Sequence, residues 1–188
     1  MCAGIAEKEY GSLQGCKNGV FLGIGTGIGT AVFLNGKLVE EIRSAGHMII
    51  ERNGRTCGCG KHGCYETYAS MKALKTEIRH KLQNETLSSK EILEILKDKK
   101  QSEPLQDILQ NYIQYLSIGI ANFARICSSD VVAIGGSFVY FQEVLFDKLL
   151  QELDRIMIPM EKEKVTIKLA TLGNDAGIIG ATRIKEEN

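Results

Sequence analysis

Hydrophobic and polar positions follow two different rhythms along this chain. Short apolar runs separated by glycines, and by the pair Asn35-Gly36, occupy residues 18–42. This pattern predicts two or three antiparallel strands joined by tight turns. Two later runs, VVAIGG at 131–136 and VTIKLA at 165–170, predict further buried strands.

The stretches between these strands have helical patterns. Residues 66–81 contain neither Gly nor Pro, and Ser88 with Glu91 forms a capping-box signature for a second helix. The longest helix is expected to begin at Pro104, and two more are expected over 138–155 and 175–185. The longest helix has a stripe of apolar positions at steps of three and four, which is expected to be buried: Leu105, Ile108, Leu109, Tyr112, Ile113, Leu116, Ile120, Phe123 and Cys127.

Strands that alternate with helices after an antiparallel beginning predict an α/β fold, a mixed sheet flanked by helices. The length of 188 residues and the 44% hydrophobic content suit one core, so we expect one domain over residues 1–188.

Charge and apolar run length exclude several classes of partner. The 23 basic residues balance 23 acidic ones, so we expect neither nucleic acid nor a membrane surface as a partner. The run KDKK at 97–100 is interpreted as a solvated helix end. No apolar run reaches the length of a membrane span, and the N-terminal residues do not have a signal-peptide pattern, so a cytoplasmic location is expected.

The stretch from Gly46 to Glu66 concentrates potential metal ligands. One imidazole and three thiols form a common zinc set that fills all four positions and therefore indicates a structural ion: His47, Cys57, Cys59 and Cys64. His62 is the alternative nitrogen donor. The remaining cysteines, Cys2, Cys16 and Cys127, show no ligand spacing and are interpreted as ordinary thiols, and His80 as a surface residue.

The glycine-rich run GIGTGIGT at 23–30 does not match a dinucleotide fingerprint, and no Walker-type sequence occurs. A Gly-Thr-Gly turn between strands can still present N–H groups and the Thr26 hydroxyl to a phosphate. The alternative is a hairpin that uses glycines only for its geometry.

These motifs together resemble those of the ROK family of repressors, open reading frames and sugar kinases. GH followed by CGCGKHGCYETYAS resembles the family's zinc-and-sugar signature, and LGIGTGIG at 22–29 resembles its phosphate loop. The resemblance implies a ribonuclease-H-like domain of the actin/hexokinase superfamily with a zinc-binding loop. It implies that His47 and Glu66 contact a hexose or amino sugar, although a helix-opening role would also explain Glu66.

The same resemblance implies binding of ATP with magnesium. Gly25, Thr26 and Gly27 would contact phosphates, while Gly135 and Gly136, in IGGS, would flank adenosine. GNDAGIIGAT at 173–182 resembles the family's closing segment. Tight packing of helices is the alternative explanation for these later glycines.

Two departures from the family pattern concern catalysis. The family's general-base aspartate falls two positions before Met1, and its N-terminal lobe would also precede this chain, so we expect a C-terminal lobe that is inactive alone. In addition, the family has a glutamate sugar ligand in an E-x-G-H motif, whereas Arg43, Ser44, Ala45 and Gly46 precede His47 here. Either Ser44 occupies the glutamate position or a few residues before His47 are absent.

The expected function is therefore the sugar- and nucleotide-binding lobe of a glucokinase-like ROK kinase. The alternatives are the effector-binding and dimerisation domain of a ROK transcriptional repressor, or a zinc-stabilised interaction module without catalysis. The resemblance also implies a homodimer.

Overall fold

The computed structural model describes residues 1–183. A five-stranded mixed sheet with the order β3-β2-β1-β4-β5 forms its centre. β1 pairs antiparallel with β2 and parallel with β4, so it is the strand where the two kinds of pairing meet. The strands are β1 (Gly19–Ile24), β2 (Ile28–Leu34), β3 (Lys37–Leu38), β4 (Val131–Gly135) and β5 (Thr166–Leu169).

The predicted hairpins are confirmed, and the turn at Asn35-Gly36 shows why. Both residues have positive φ, 51° and 79°, the backbone that a two-residue turn between twisted antiparallel strands requires. Asn and Gly adopt this conformation at low cost. β3 is therefore aligned on β2 through Leu34 and Lys37.

Helices surround the sheet. The longest, α6, has the expected buried stripe, although Ile108 is only partly buried. Among residues 1–183, no helix combines the length and apolar character needed to cross a bilayer. The helices are α1 (Cys2–Tyr10), α2 (Glu66–Ala69), α3 (Met71–Lys81), α4 (Ser89–Lys97), α5 (Lys99–Ser102), α6 (Gln106–Ile126), α7 (Gln142–Ile156), α8 (Pro159–Lys164) and α9 (Ala176–Ala181).

The capping box at Ser88 is confirmed. The Glu91 N–H donates to the Ser88 hydroxyl at 3.2 Å, and the Ser88 N–H donates to the Glu91 carboxylate at 2.8 Å. Both bonds are local, which is why the sequence alone predicts the start of α4.

The prediction of one helix over residues 66–81 is wrong. The backbone at Ser70 is extended, with φ −78° and ψ 155°, and its hydroxyl accepts from the Ala73 N–H and caps α3. The Lys72 N–H donates to the carbonyl of Gly25 instead of continuing the α2 ladder. A contact with the distant glycine loop thus accompanies a break in a helix-favouring sequence.

The other helix predictions need smaller corrections. The helix expected over 138–155 begins as a 3-10 turn at Gly136–Phe141 and becomes α-helical only at Gln142. A 3-10 turn at Gly173–Asp175 precedes α9, and the predicted end of this closing helix, residues 184–185, lies outside the described residues. α8 has no counterpart among the helices predicted from the sequence.

The two faces of the sheet pack into separate cores. Val20, Leu22 and Ile24 of β1 face the large layer that contains α6 and α7, whereas Phe21 belongs to the smaller core under α1. This alternation is the period-two pattern of a strand covered on both faces. The site described below lies where β1 and β2 meet the larger layer.

A buried carboxylate fastens α1 to the end of β5. Glu7 has no exposed surface, yet it accepts hydrogen bonds from the N–H groups of Ser12, Thr171 and Leu172 at 2.7–2.8 Å. Burial by itself would raise its pKa, but these donors together hold the pKa of Glu7 below its ordinary value. The carboxylate therefore remains ionised inside the protein.

Candidate functional site

The structure brings the four predicted metal ligands together. Donor atoms of His47, Cys57, Cys59 and Cys64 all lie within 4.8 Å of one another. The Cys57 sulfur is 3.5 Å from His47 Nδ1, and the sulfurs of Cys59 and Cys64 are 3.6 Å apart. The alternative donor, His62, is exposed, and its Nδ1 lies 3.5 Å from the Thr56 hydroxyl.

This arrangement fits a zinc ion. Zinc–sulfur bonds of about 2.3 Å at tetrahedral angles place two sulfurs about 3.8 Å apart, close to the separation of Cys59 and Cys64. Three thiols and one imidazole form a soft donor set that favours zinc over magnesium or calcium. The four donors would fill a tetrahedral shell and leave no position for a reacting water.

The backbone folds the ligand segment back on itself. The Ile50 N–H donates to Gly63 O, Tyr65 N–H to Met48 O, and Cys57 N–H to Lys61 O, at 2.8–2.9 Å. Gly63 has a φ of 77° and lies so close to the Glu51 carbonyl that a Cβ would overlap it. Glycine is needed here for both conformation and space.

Two of the thiols lie in different electrostatic surroundings. Burial, followed by the hydrogen bonds with Cys59 and Cys57, raises the pKa of Cys64 to about 12. A backbone hydrogen bond from Lys61 lowers the pKa of the exposed Cys59. Metal binding at this cluster would therefore release protons, most of all from Cys64.

Glu66, the predicted sugar ligand, lies between the cysteine cluster and the glycine loop. Its Oε1 is 3.5 Å from His47 Nδ1 and 3.4 Å from the Cys57 sulfur. Its Oε2 accepts from the Ile28 N–H at 3.4 Å, and a Cβ at Gly27 would approach Oε2 to 2.5 Å. One carboxylate thus connects two motifs that are far apart in sequence.

Tyr65 anchors this carboxylate from behind. Its side chain has no exposed surface, and its hydroxyl donates to the carbonyl of Leu116 in α6 at 2.8 Å. The ring lies directly against Gly119, where a side chain would overlap it. Because Tyr65 stands between Cys64 and Glu66, its packing positions both neighbours.

The segment that carries the metal ligands also contacts the helices through Arg55 and Glu51, and this contact was not predicted from the sequence. The Arg55 guanidinium lies 4.5 Å from the Tyr68 ring centre, and Tyr68 stacks on Tyr115 of α6 at 4.4 Å. The Tyr115 hydroxyl donates to Glu51 at 3.1 Å, and Arg55 also pairs with Glu77 of α3. Tyr115 lies outside the predicted buried stripe of α6, so no sequence pattern indicated this contact.

The predicted phosphate-loop residues form the three-residue turn between β1 and β2. The Gly25 N–H donates to the Gly27 carbonyl at 2.9 Å, and Thr26 is exposed at the tip. Thr26 borders a cavity of about 510 Å³ that Glu66 also lines, whereas Gly25 borders a second cavity of about 970 Å³. The loop therefore lies between the two.

The two predicted adenosine glycines occupy different environments. Gly136 lines the larger cavity with Gly25, Ser137, Gly173 and Asn174. Gly135 is buried at the end of β4, where a Cβ would approach the Phe21 ring to 2.7 Å. Packing therefore explains Gly135. Gly136 has a positive φ of 73°, and a Cβ there would approach the Ile24 carbonyl oxygen to 2.7 Å, so backbone conformation and close packing also account for this glycine.

Comparisons with known proteins agree with this architecture. The chain is 29% identical over 194 residues to a glucokinase of Halalkalibacterium halodurans, covering 95% of this chain and 59% of the glucokinase. It is 28% identical over 191 residues to a xylose repressor of Bacillus spizizenii, covering 97% of this chain and 47% of the repressor. A ROK hexokinase structure from Thermus thermophilus superposes with a TM-score of 0.80 at 27% identity, covering 96% and 62% of the two chains.

This chain therefore spans about half to three fifths of the length of these relatives. Its mixed sheet and flanking helices match the fold of the ROK hexokinase, as the sequence led us to expect. The profile of the ROK family matches residues 1–188, the whole sequence, and the chain belongs to the ROK family.

Proposed function

We propose that this chain is the zinc-stabilised, sugar- and nucleotide-binding lobe of an ATP-dependent ROK hexose kinase. The observation that carries the proposal is the position of Glu66. Its carboxylate reaches the cluster of potential metal ligands through one oxygen and the glycine loop through the other. Transfer of a phosphoryl group requires a hydroxyl acceptor and a phosphate donor to be held side by side.

His47 and Glu66 would bind the sugar as donor and acceptor. His47 Nδ1 is the nitrogen near the thiols, so ligation there would fix the proton on Nε2 as a donor. The Glu66 side chain is only 25% exposed and accepts from the Ile28 N–H, which restricts its orientation. Sugar hydroxyls need both kinds of partner.

Zinc, when bound, would supply a fixed tetrahedral link between residues that otherwise lie on a polar loop. The protein groups around it would then do the binding. Tyr65 packs on α6, Arg55 lies over Tyr68, and the turn at Gly63 brings Cys64 back beside Cys59. The proposed role of the metal is therefore structural, with the sugar site as the element that it stabilises.

The larger cavity supports nucleotide binding. It contains Gly25 of the loop, Gly136 and Ser137 after β4, and Gly173 and Asn174 before α9. Glycine backbones let a base and ribose approach closely. The loop would offer N–H groups to the phosphates, which would bind as their magnesium complex. Its volume, about 970 Å³, lies within the range of small-molecule sites.

The similarity to a xylose repressor supports a second candidate, an effector-binding domain that senses a sugar without phosphorylating it. Such a domain needs the sugar contacts but no nucleotide site. The cavity bordered by both Gly25 and Gly136 favours the kinase, because it offers a second possible ligand site, separated by the glycine loop from the cavity that Glu66 lines.

Calorimetric titration of this chain separates these functions. We expect a hexose and a non-hydrolysable ATP analogue with magnesium each to bind. Glu66→Gln should weaken hexose binding roughly 10- to 100-fold, since a hydrogen bond to a charged group contributes about 1.5–3 kcal/mol. Nucleotide affinity should stay unchanged.

Glu77→Gln is the matched control, because Glu77 also borders the smaller cavity but pairs with Arg55 rather than with His47. An unchanged hexose affinity in Glu66→Gln would overturn the proposed sugar site. Sugar binding without any nucleotide binding would favour the repressor.

A further inference from the structure

The three thiols of the proposed zinc site differ sharply in their exposure. Cys57 and Cys64 are 4% and 0% exposed, whereas Cys59 lies on the surface. An oxidant in solution therefore reaches the sulfur of Cys59 far more readily than those of Cys57 and Cys64. Reactivity of a cysteine follows this access as well as its thiolate character.

The backbone on either side of Cys59 borders open space. Cys59 stands between Gly58 and Gly60, and a methyl group added at either glycine would meet no atom within 4 Å. The sulfur of Cys64 is 3.6 Å away, so an approach of about 1.5 Å would reach the S–S bond length of about 2.05 Å. Cys64 is thus placed to react with an oxidised Cys59.

Cys57 is the weaker alternative partner. Only one residue separates it from Cys59, a spacing that strains a disulfide, and its sulfur is engaged by His47 and by Glu66 at 3.5 and 3.4 Å. Four residues, 60–63, separate Cys59 from Cys64, by contrast, and the two sulfurs already lie 3.6 Å apart.

We propose that Cys59 and Cys64 form an oxidisable pair through which a peroxide releases zinc and disables the sugar site. The proposal rests on the proposed zinc-dependent function. The Cys59 thiolate attacks the peroxide O–O bond and becomes a sulfenic acid, with hydroxide as the leaving group. The Cys64 sulfur then attacks the sulfenic sulfur and displaces its oxygen as water.

The balance is simple. Two thiols and one hydrogen peroxide give one disulfide and two waters, and the two electrons pass from sulfur to the peroxide. Two of four metal ligands are lost, so zinc dissociates. Because Cys64 adjoins Tyr65 and Glu66, and because His47 loses its ion, the sugar contacts lose their common support. A thiol reductant with zinc reverses the change.

The test uses the full chain after its zinc content has been measured by elemental analysis. Hydrogen peroxide is added, released zinc is followed with a coloured chelator, and disulfides are mapped by peptide mass spectrometry. We expect about one zinc to leave per chain, two thiols to disappear, and a peptide joining Cys59 to Cys64 to form. Dithiothreitol and zinc should restore the starting state.

Cys59→His is the informative variant, because it keeps a fourth zinc ligand while removing the exposed sulfur. We expect it to bind zinc and to release it at least about tenfold more slowly under peroxide. Cys2→Ser and Cys16→Ser, which alter thiols outside the cluster, should release zinc at the wild-type rate.

Zinc retained by the peroxide-treated protein, a disulfide between other cysteines, or wild-type release from Cys59→His would each overturn the proposal while leaving the sugar kinase intact. A protein that carries no zinc before peroxide is added would overturn the metal site itself, and the oxidation proposal with it.

Discussion

Alanine at position 119 would place a methyl group inside the volume of the Tyr65 ring. Three ring carbons lie within 2.6 Å of an added Cβ, whereas carbon atoms normally pack at about 3.5–4.0 Å. The ring would have to move by roughly 1 Å or more. In a side chain with no exposed surface, such overpacking typically costs about 1–3 kcal/mol.

Two other terms act on the same substitution. Displacing the ring endangers the hydrogen bond from Tyr65 to Leu116 O, and a buried hydroxyl left without a partner costs about 1–3 kcal/mol. Alanine instead stabilises a helix by about 1 kcal/mol relative to glycine. The unfavourable terms are larger, so we expect Gly119→Ala to destabilise the protein by roughly 2–4 kcal/mol.

Thermal unfolding measures this effect. For a chain of this size each kcal/mol lowers the melting temperature by about 2–4 °C, so a decrease of roughly 5–15 °C is expected. Zinc affinity should fall as well, because Tyr65 holds Cys64. Gly177→Ala, in α9, is the control: no atom lies within 4 Å of its added Cβ, and it should unfold at an equal or higher temperature.

A double-variant cycle with Tyr65→Leu tests the cause. In the Tyr65→Leu background, Gly119→Ala should reduce the free energy of unfolding by about 0.5–3 kcal/mol less than in the wild type, the range of coupling typical of residues in contact. A melting temperature that rises in Gly119→Ala would show that helix propensity outweighs the clash and would refute the reasoning.

Three further substitutions test other parts of the structure. Cys59→Ser should lower zinc content and melting temperature; an unchanged metal content by elemental analysis would contradict the ligand assignment. Ser70→Ala removes the cap of α3 and should cost about 1 kcal/mol in urea unfolding. Ser44→Ala should change little, because Ser44 is exposed and its side chain makes no capping hydrogen bond. Because the pKa of Glu7 is lowered in the folded protein, its contribution to stability is complete above the unfolded pKa and is lost as the pH falls through the lower folded value. Glu7→Gln should therefore be less stable than the wild type at pH 7, and the difference should shrink in acid. Melting curves recorded over a series of pH values would detect this change.

Local patterns predicted the parts of the fold that depend on local chemistry. Ser88 and Glu91 satisfy each other across one turn, and Asn35-Gly36 supplies the backbone that its hairpin needs. The stripe of α6 follows from helical periodicity alone. The ligand segment could also be predicted, because its cysteines are close in sequence and a short loop keeps their sulfurs close in space.

The parts that local patterns could not predict depend on contacts between distant segments. Ser70 breaks a helix where the Lys72 N–H binds the Gly25 carbonyl, and no pattern within residues 66–81 contains that information. Gly135 and Gly136 are neighbours in sequence, yet one packs under Phe21 and the other lines a cavity. Gly119 appears as an unexplained glycine in a helix until Tyr65 is placed beside it.

The parallel pairing of β1 with β4 also has a consequence for biosynthesis. At the start of this pairing the Asn18 N–H binds the Asp130 carboxylate, 112 positions further along the chain. At about 5–20 residues per second, a ribosome would need roughly 6–22 s to make that interval. During this time the newly made hairpin exposes an unpaired apolar edge, the kind of surface on which nascent chains aggregate and chaperones act.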